Sequence, residues 1–374
     1  MTPQLLNPMH TGSEASSLRA ALTRKVIGQD EAVRHIVESL QIFAAGLQTP
    51  GRPVGSFLFI GPTGSGKTRL VEAVAEEVLG SANAVIKIDC GEFQHSHEIA
   101  KLVGAPPGYM GHRETYPLLS QDALNRFHTP NLKLSFLLFD EIEKATDALW
   151  NLLLGILDKA TLTLGNNRRV DFSQSMIFMT GNVGASEISR EVTHRIGLAP
   201  ASTRPDRAEQ IAVESARRRF SPEFFNRIDK IVIFQALGEA ELRRILDLEL
   251  STLSERFALR IRFVLSVTQP AKDYLLMEGT DIRYGARHLK RAIERSLVVP
   301  VSNLMATGQV RVGDVIRLDF DRERQQLVFF KDAENAAVPE SPQVAAAEVR
   351  QTVAATAGMD PQTMFPAVWP YFCD

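Results

Sequence analysis

Gly61-Pro62-Thr63-Gly64-Ser65-Gly66-Lys67-Thr68 is a complete G-x-x-x-x-G-K-[ST] phosphate loop, and the sequence on either side of it decides the fold. Ahead of it, Phe57 to Ile60 is a short apolar run bounded by glycine, the signature of a buried parallel strand. Behind it, Leu70, Val71, Val74 and Val78 recur at helical period and stop at Gly80, which predicts a helix ending on a glycine cap. A strand that turns on glycines into a helix aims backbone N–H groups and the positive end of the helix dipole at one point, where a phosphate can sit. In that setting Lys67 reaches the terminal phosphates of ATP and Thr68 is a magnesium ligand.

Working outward, five apolar runs alternate with helical or loop-like sequence: Phe57 to Ile60, Ala84 to Ile88, Leu134 to Phe139, Met176 to Met179 and Ile231 to Phe234. The alternation predicts an α/β fold, a five-stranded parallel sheet covered by helices on both faces. Leu134 to Phe139 delivers Asp140 and Glu141 to the C-terminal end of a strand, the edge where open parallel sheets bind ligands. Beside a phosphate loop, this Walker B pair reads as Asp140 holding magnesium, through water, and Glu141 polarising the attacking water. Taken alone, the pair would read equally as helix N-terminal charges. The next run ends in Thr180, Gly181 and Asn182, so Asn182 is placed to fix the attacking water or to touch the γ-phosphate.

A different composition begins near Glu239, where Leu242, Ile245, Leu246, Leu248, Leu250 and Leu253 follow a helical pattern to about Phe257. A β-like run Ile261 to Val267, a helix around Ala271 to Met277, and another from Gly285 to about Leu297 come next. A closing hairpin of Val315 to Asp319 with Gln326 to Phe330 completes a small α+β domain. The expected organisation is a leader at 1–20, a large ATPase domain at 21–235, a small C-terminal lid at 236–331, and an Ala/Pro-rich tail at 332–374. The tail ends in Met364, Phe365, Trp369, Tyr371 and Phe372, which suits either a docking peptide or a segment folded back on its own domain.

The 374 residues carry a net charge of −2, with 44% hydrophobic and 23% charged, a composition of globular proteins that offers no field for nucleic acid. Cys90 and Cys373 outline no disulfide framework, no apolar run spans a bilayer, and no signal-peptide core opens the chain, so a cytoplasmic location is expected. Cys90, His95 and His97 lack a fourth ligand at a metal-binding spacing. Arg217, Arg218 and Arg219 suit a subunit interface better than a polynucleotide in a near-neutral chain.

Two arginines remain, Arg227 in Phe224-Phe225-Asn226-Arg227-Ile228-Asp229 and Arg287 in Gly285-Ala286-Arg287. Each could stabilise charge on transferring phosphoryl oxygens or form a surface salt bridge. The order of all these motifs resembles the Clp family of AAA+ protein unfoldases, in particular the C-terminal ATPase module of its ClpB and ClpA branches, over roughly residues 20 to 331. The resemblance implies that Val26 and Ile27, opening Val26-Ile27-Gly28-Gln29-Asp30-Glu31-Ala32-Val33, cup adenine. It makes Phe139 to Ala145 the Walker B segment and Asn182 sensor 1. It makes Arg227 an arginine finger acting on a neighbouring subunit, and Arg287 the sensor 2 arginine that couples nucleotide to the lid.

The same resemblance makes Pro106-Pro107-Gly108-Tyr109-Met110-Gly111 a pore loop gripping unfolded or aggregated polypeptide through Tyr109 and Met110, with Leu162 to Arg169 in the place of a lower pore loop. A tyrosine among prolines and glycines belongs on an exposed loop, and its ring and hydroxyl suit sequence-tolerant grip. Implied partners are five further copies in a homo-hexamer and a ClpP-type peptidase docking on Ile196, Gly197 and Leu198, which on their own also read as a locally packed loop. The chain departs from the family in having one ATPase module, about twenty residues ahead of it, Gly181 where serine is usual, and Ser221 where ClpB-like sequences carry arginine. The expected function is ATP-driven threading of polypeptide through a ring. The alternative is an ATP-switched assembly protein that remodels a partner without threading.

Overall fold

A computed structural model describes residues 11–105, 116–183, 205–260, 262–280 and 285–333. The chain divides into two compact units at the Gln235–Ala236 bond.

The first unit is built on β1 (Gly55–Ile60), β2 (Ile86–Asp89), β3 (Ser135–Asp140), β6 (Ser175–Gly181) and β7 (Lys230–Ile233), joined in the order β2-β3-β6-β1-β7. Every pairing is parallel. All six residues of β1 and all seven of β6 are buried, because a sheet covered on both faces gives neither side of a strand to water. Alternate residues therefore feed two cores. Leu58 and Ile60 join Leu137, Phe139, Ile177 and the helix Asp147–Lys159 on one face. Phe57 and Phe59 join Phe136, Phe178 and the helices Ser13–Lys25, Asp30–Ala44 and Lys67–Leu79 on the other. The Phe57 and Phe178 rings stack at 5.4 Å between centroids. The loop between Leu162 and Arg169 is the turn of a hairpin formed by β4 (Thr161–Thr163) and β5 (Arg169–Asp171).

The second unit packs the helices Glu239–Arg260, Gln269–Gly279 and Ala286–Ile293 on a three-stranded sheet of β8 (Val264–Val267), β9 (Val315–Asp321) and β10 (Gln326–Ala333). The expected hairpin is β9 with β10, antiparallel, and β8 lies parallel to β9. Leu242, Leu246, Phe263, Leu289, Ile316 and Leu318 make its core. The helix expected to end near Leu297 continues instead through a π turn at Glu294–Val298 into Val299–Ala306. The wider π turn lets the helix pass Pro300, which has no N–H to donate. Among the described residues no helix is long and apolar enough to cross a membrane.

Candidate functional site

Strand order assembles the site. β6 lies between β3 and β1, with Ile60 beside Gly181 and Phe139 beside Met179, so the phosphate loop after β1, the carboxylates at the end of β3 and Thr180 to Asn182 at the end of β6 share one sheet edge.

The loop is close-packed. A Cβ on Gly61 would stand 2.5 Å from the Phe234 carbonyl oxygen, and its N–H bonds to Gly181 O at 3.3 Å. Gly66, at φ 101°, turns the chain into the helix Lys67–Leu79 through a conformation open chiefly to glycine. No side chain caps that helix N-terminus, so its first N–H groups and the positive dipole end face the loop, which suits an anion. Gly80 ends the helix at φ 75°, the glycine cap read from the sequence.

Lys67 is buried, and its ammonium donates to Gly61 O at 2.7 Å, Pro62 O at 3.0 Å and Asn182 Oδ1 at 2.9 Å. Asn182 N–H donates in turn to Glu143 Oε1 at 2.9 Å, while the buried Glu143 Oε2 has no hydrogen-bond partner among the described residues. Asp140 accepts a hydrogen bond from the Thr180 hydroxyl, and Thr180 Oγ1 in turn accepts the Glu141 N–H at 3.1 Å. Glu141 sits at φ 57°, a left-handed conformation costly for a side-chain-bearing residue and common at functional turns. Its carboxylate pairs with Lys144, and that hydrogen bond, reinforced by the charge of Glu141, holds the Lys144 ammonium above its ordinary pKa. The segment after Glu141 is pinned by Trp150 Nε1 on Ile142 O at 3.1 Å and by Arg219 on Glu143 O. The Arg219 guanidinium lies over the Trp150 ring at 4.9 Å.

Val26 and Ile27 are buried where the first two helices meet, and Val26 Cγ1 lies 3.8 Å from the place a Cβ would take on Gly66. The structure thus brings Val26, Gly61 to Lys67, Asp140, Glu141 and Asn182 into one neighbourhood. Thr68, half-buried, opens the helix beside Lys67.

Arg227 lies elsewhere. It pairs with Asp158 at 2.8 Å, and its segment is stitched to the start of β1, where Asp229 accepts from Ser56 N–H at 2.9 Å and from Ser56 Oγ at 2.7 Å. Arg287 is exposed at the start of the helix Ala286–Ile293 in the second unit. Tyr109, Met110, Ile196, Gly197, Leu198 and residues 334–374 of the expected 332–374 tail lie outside the described residues, whereas Asp332 and Ala333 end β10 and are not tail. Burial, with neighbouring carboxylates, pushes the Cys90 thiol well up, so it is a packed apolar group rather than a nucleophile. Sequence reading missed the roles of Thr180, Lys144, Arg219 and Gln29. Spacing offers no signal for the first three, because each acts through a contact made across the fold.

Residues 52–231 match the family AAA domain (Cdc48 subfamily), and residues 237–318 match the C-terminal, D2-small domain, of ClpB protein. The chain belongs to the Clp family of AAA+ proteins. This Clp-family chain is 38% identical over 305 residues to the ATP-dependent Clp protease ATP-binding subunit ClpC of Staphylococcus saprophyticus, covering 82% of itself and 36% of that protein. To the chaperone protein ClpB 1 of Thermosynechococcus vestitus it is 38% identical over 321 residues, covering 86% of itself and 35% of the relative. It therefore spans about a third of the length of the curated relatives it matches. Among solved structures it is similar to Hsp104, from a closed-state cryo-EM reconstruction with ATPγS and FITC casein. That match has a TM-score of 0.71 at 28% identity, and covers 85% of this chain and 52% of the other.

Proposed function

We propose that this Clp-family chain is the ATP-hydrolysing module of a protein unfoldase or disaggregase. One observation carries the reading: Lys67, Asp140, Glu141 and Asn182 meet at a single sheet edge around an uncapped helix N-terminus. ATP binds with its phosphates on the loop Gly61 to Thr68 and its adenine against Val26 and Ile27. Lys67 exchanges its carbonyl partners for the terminal phosphates. A hydroxyl and a carboxylate, Thr68 and Asp140, are the hard oxygen donors that magnesium takes alongside phosphate and water, and the bound ion would neutralise charge on the β and γ oxygens. Glu141 polarises the attacking water and accepts its proton, with Asn182 orienting that water.

The arginine finger is supplied by a neighbour. Phe57 of β1 pairs with Lys230, so Arg227 sits at the N-terminal end of β1, whereas the phosphate loop begins at its C-terminal end. Four residues of strand at about 3.3 Å each already separate Phe57 from Gly61 by roughly 13 Å, with Arg227 further back, beyond the reach of one side chain. A site completed from outside the chain calls for a closed ring, taken here as a homo-hexamer. Arg287 is the sensor 2 arginine of the 236–331 lid, and Tyr109 with Met110 grips unfolded or aggregated polypeptide in the pore. The ClpC relative is the ATP-binding subunit of an ATP-dependent Clp protease, which supports a ClpP-type peptidase docking on Ile196, Gly197 and Leu198.

The test is the ATPase rate with and without an unfolded model protein, for the unsubstituted chain and Glu141→Gln, with mass measured in parallel. Hydrolysis stimulated by polypeptide, lost in Glu141→Gln, and an ATP-dependent ring are expected. Robust hydrolysis indifferent to polypeptide would replace the unfoldase reading by an ATP-switched assembly protein.

A further inference from the structure

Gln29 is 3% exposed in the turn between the helices Ser13–Lys25 and Asp30–Ala44. A glutamine amide removed from water needs partners for its oxygen and its N–H groups, or it costs stability. Nε2 donates to Ser65 O at 3.1 Å and to Gln235 O at 3.1 Å, and Oε1 accepts the Gln235 N–H at 3.2 Å. All three partners are backbone groups. One belongs to the phosphate loop, and two belong to the last residue before the second unit begins.

We infer that Gln29 is a positioning residue for the phosphate site, fixing the orientation of the Ser65–Gly66 peptide. The inference rests on the nucleotide reading above. No peptide bond among the described residues is cis, and in a trans peptide the carbonyl and the following N–H point in opposite directions. With Ser65 O tied to Gln29, the Gly66 N–H is sent the other way. Gly66 itself, at φ 101°, imposes little resistance to turning that plane over, since glycine tolerates both signs of φ. A turned plane would set a carbonyl where a phosphate needs a donor. The restraint therefore has to come from outside the loop, and the Gln29 amide supplies it.

The other end of the clasp extends β7. Phe234 N–H bonds to Ile60 O at 2.7 Å in the sheet, and at the next residue the Gln29 amide takes the place of a neighbouring strand by engaging both backbone groups of Gln235. One side chain thus holds the phosphate loop and the residue that follows the β7 edge of the sheet. The chemistry is selective. Glutamate lacks the two donors, asparagine is one methylene short, and methionine fills the volume but leaves the buried Ser65 carbonyl without this donor and releases both backbone groups of Gln235.

The experiment titrates the full chain with a fluorescent N-methylanthraniloyl ATP, alongside steady-state ATPase and thermal unfolding. Gln29→Met is expected to raise both Kd and KM about tenfold, with kcat falling less than threefold. A misdirected loop amide weakens ground state and transition state alike. Gln29→Glu, which keeps an acceptor for the Gln235 N–H, serves if the methionine variant does not fold. Its defect should shrink from pH 8 to pH 5.5, because a protonated carboxyl regains a donor. A lowered melting midpoint with Kd and KM within twofold of the unsubstituted chain, or a Gln29→Glu defect that is the same at both pH values, would make Gln29 a brace of the fold and overturn the inference. Failure of the unsubstituted chain to bind the nucleotide would sink the nucleotide reading and this one together.

Discussion

Replacing Thr180 by valine exchanges one hydroxyl for a methyl at constant volume, in a side chain that is 1% exposed. That hydroxyl donates to Asp140 and accepts from the Glu141 N–H, so one atom sets both Walker B residues. A hydrogen bond to a carboxylate contributes about 1.5–3 kcal/mol and one to a neutral amide about 1 kcal/mol. Asp140 is half-buried, and water can replace part of the first contribution. A net loss of about 2–3 kcal/mol follows, which for a unit of this size lowers the melting midpoint by about 4–12 °C. The effect on catalysis is separable from stability. Glu141 is held at φ 57° by this contact, and a misplacement of its carboxylate by about an ångström costs up to about a hundredfold in rate. Thr180→Val is therefore expected to lower kcat by about 10- to 100-fold, measured by phosphate release at saturating ATP. Nucleotide affinity without magnesium should stay within about threefold, because Lys67 and the loop keep their contacts. Thr180→Ser retains the hydroxyl and should stay near the unsubstituted rate. A Thr180→Val enzyme with kcat within threefold and an unchanged midpoint would refute the idea that this hydroxyl organises the site.

Two further outcomes follow from the same geometry. If Arg227 acts on a neighbour's nucleotide, Arg227→Ala and Glu141→Gln rings should each lose about a thousandfold or more in ATPase, yet mixed rings should regain a measurable fraction. A Glu141→Gln subunit still offers a finger to an Arg227→Ala subunit whose own site is intact, and no recovery on mixing would place the arginine's action elsewhere. His128, whose Nε2 lies 2.8 Å from Ser135 Oγ at the start of β3, has its pKa depressed by burial and then by Lys133. Because the folded state takes up this proton less readily than the unfolded chain, stability is full above the ordinary histidine pKa and falls as pH drops through it. Urea unfolding at pH 7.5 and 5.5 should show a larger loss for the unsubstituted chain than for His128→Gln, and equal losses would remove His128 from the account.

Much of the fold was legible because its signals are local. The five apolar runs each lie within a strand or overlap one by most of their length, the phosphate loop carries its own glycines, and Gly80 announced the end of its helix. Asp140, Glu141 and Asn182 could be nominated because strand ends are marked by the loss of apolar character. The helix expected to end near Leu297 runs on because a π turn accommodates Pro300 in the packed unit, a contact-dependent feature with no local signal.

Which strands are neighbours is a different kind of information. The order β2-β3-β6-β1-β7 follows from how two apolar faces are buried at once, and no window of sequence contains it. That order puts Asn182 on Lys67 across 115 positions and Thr180 on Asp140 across 40, and it strands Arg227 at the far end of β1. The Gln29 clasp spans 206 positions to Gln235. The sequence alone determined the chemical groups, since phosphate loop, carboxylates and arginines are covalent facts with local spacing. Only tertiary structure decided which backbone atoms satisfy a buried amide or hydroxyl, because a polar group withdrawn from water must find its partner wherever the packed chain supplies one.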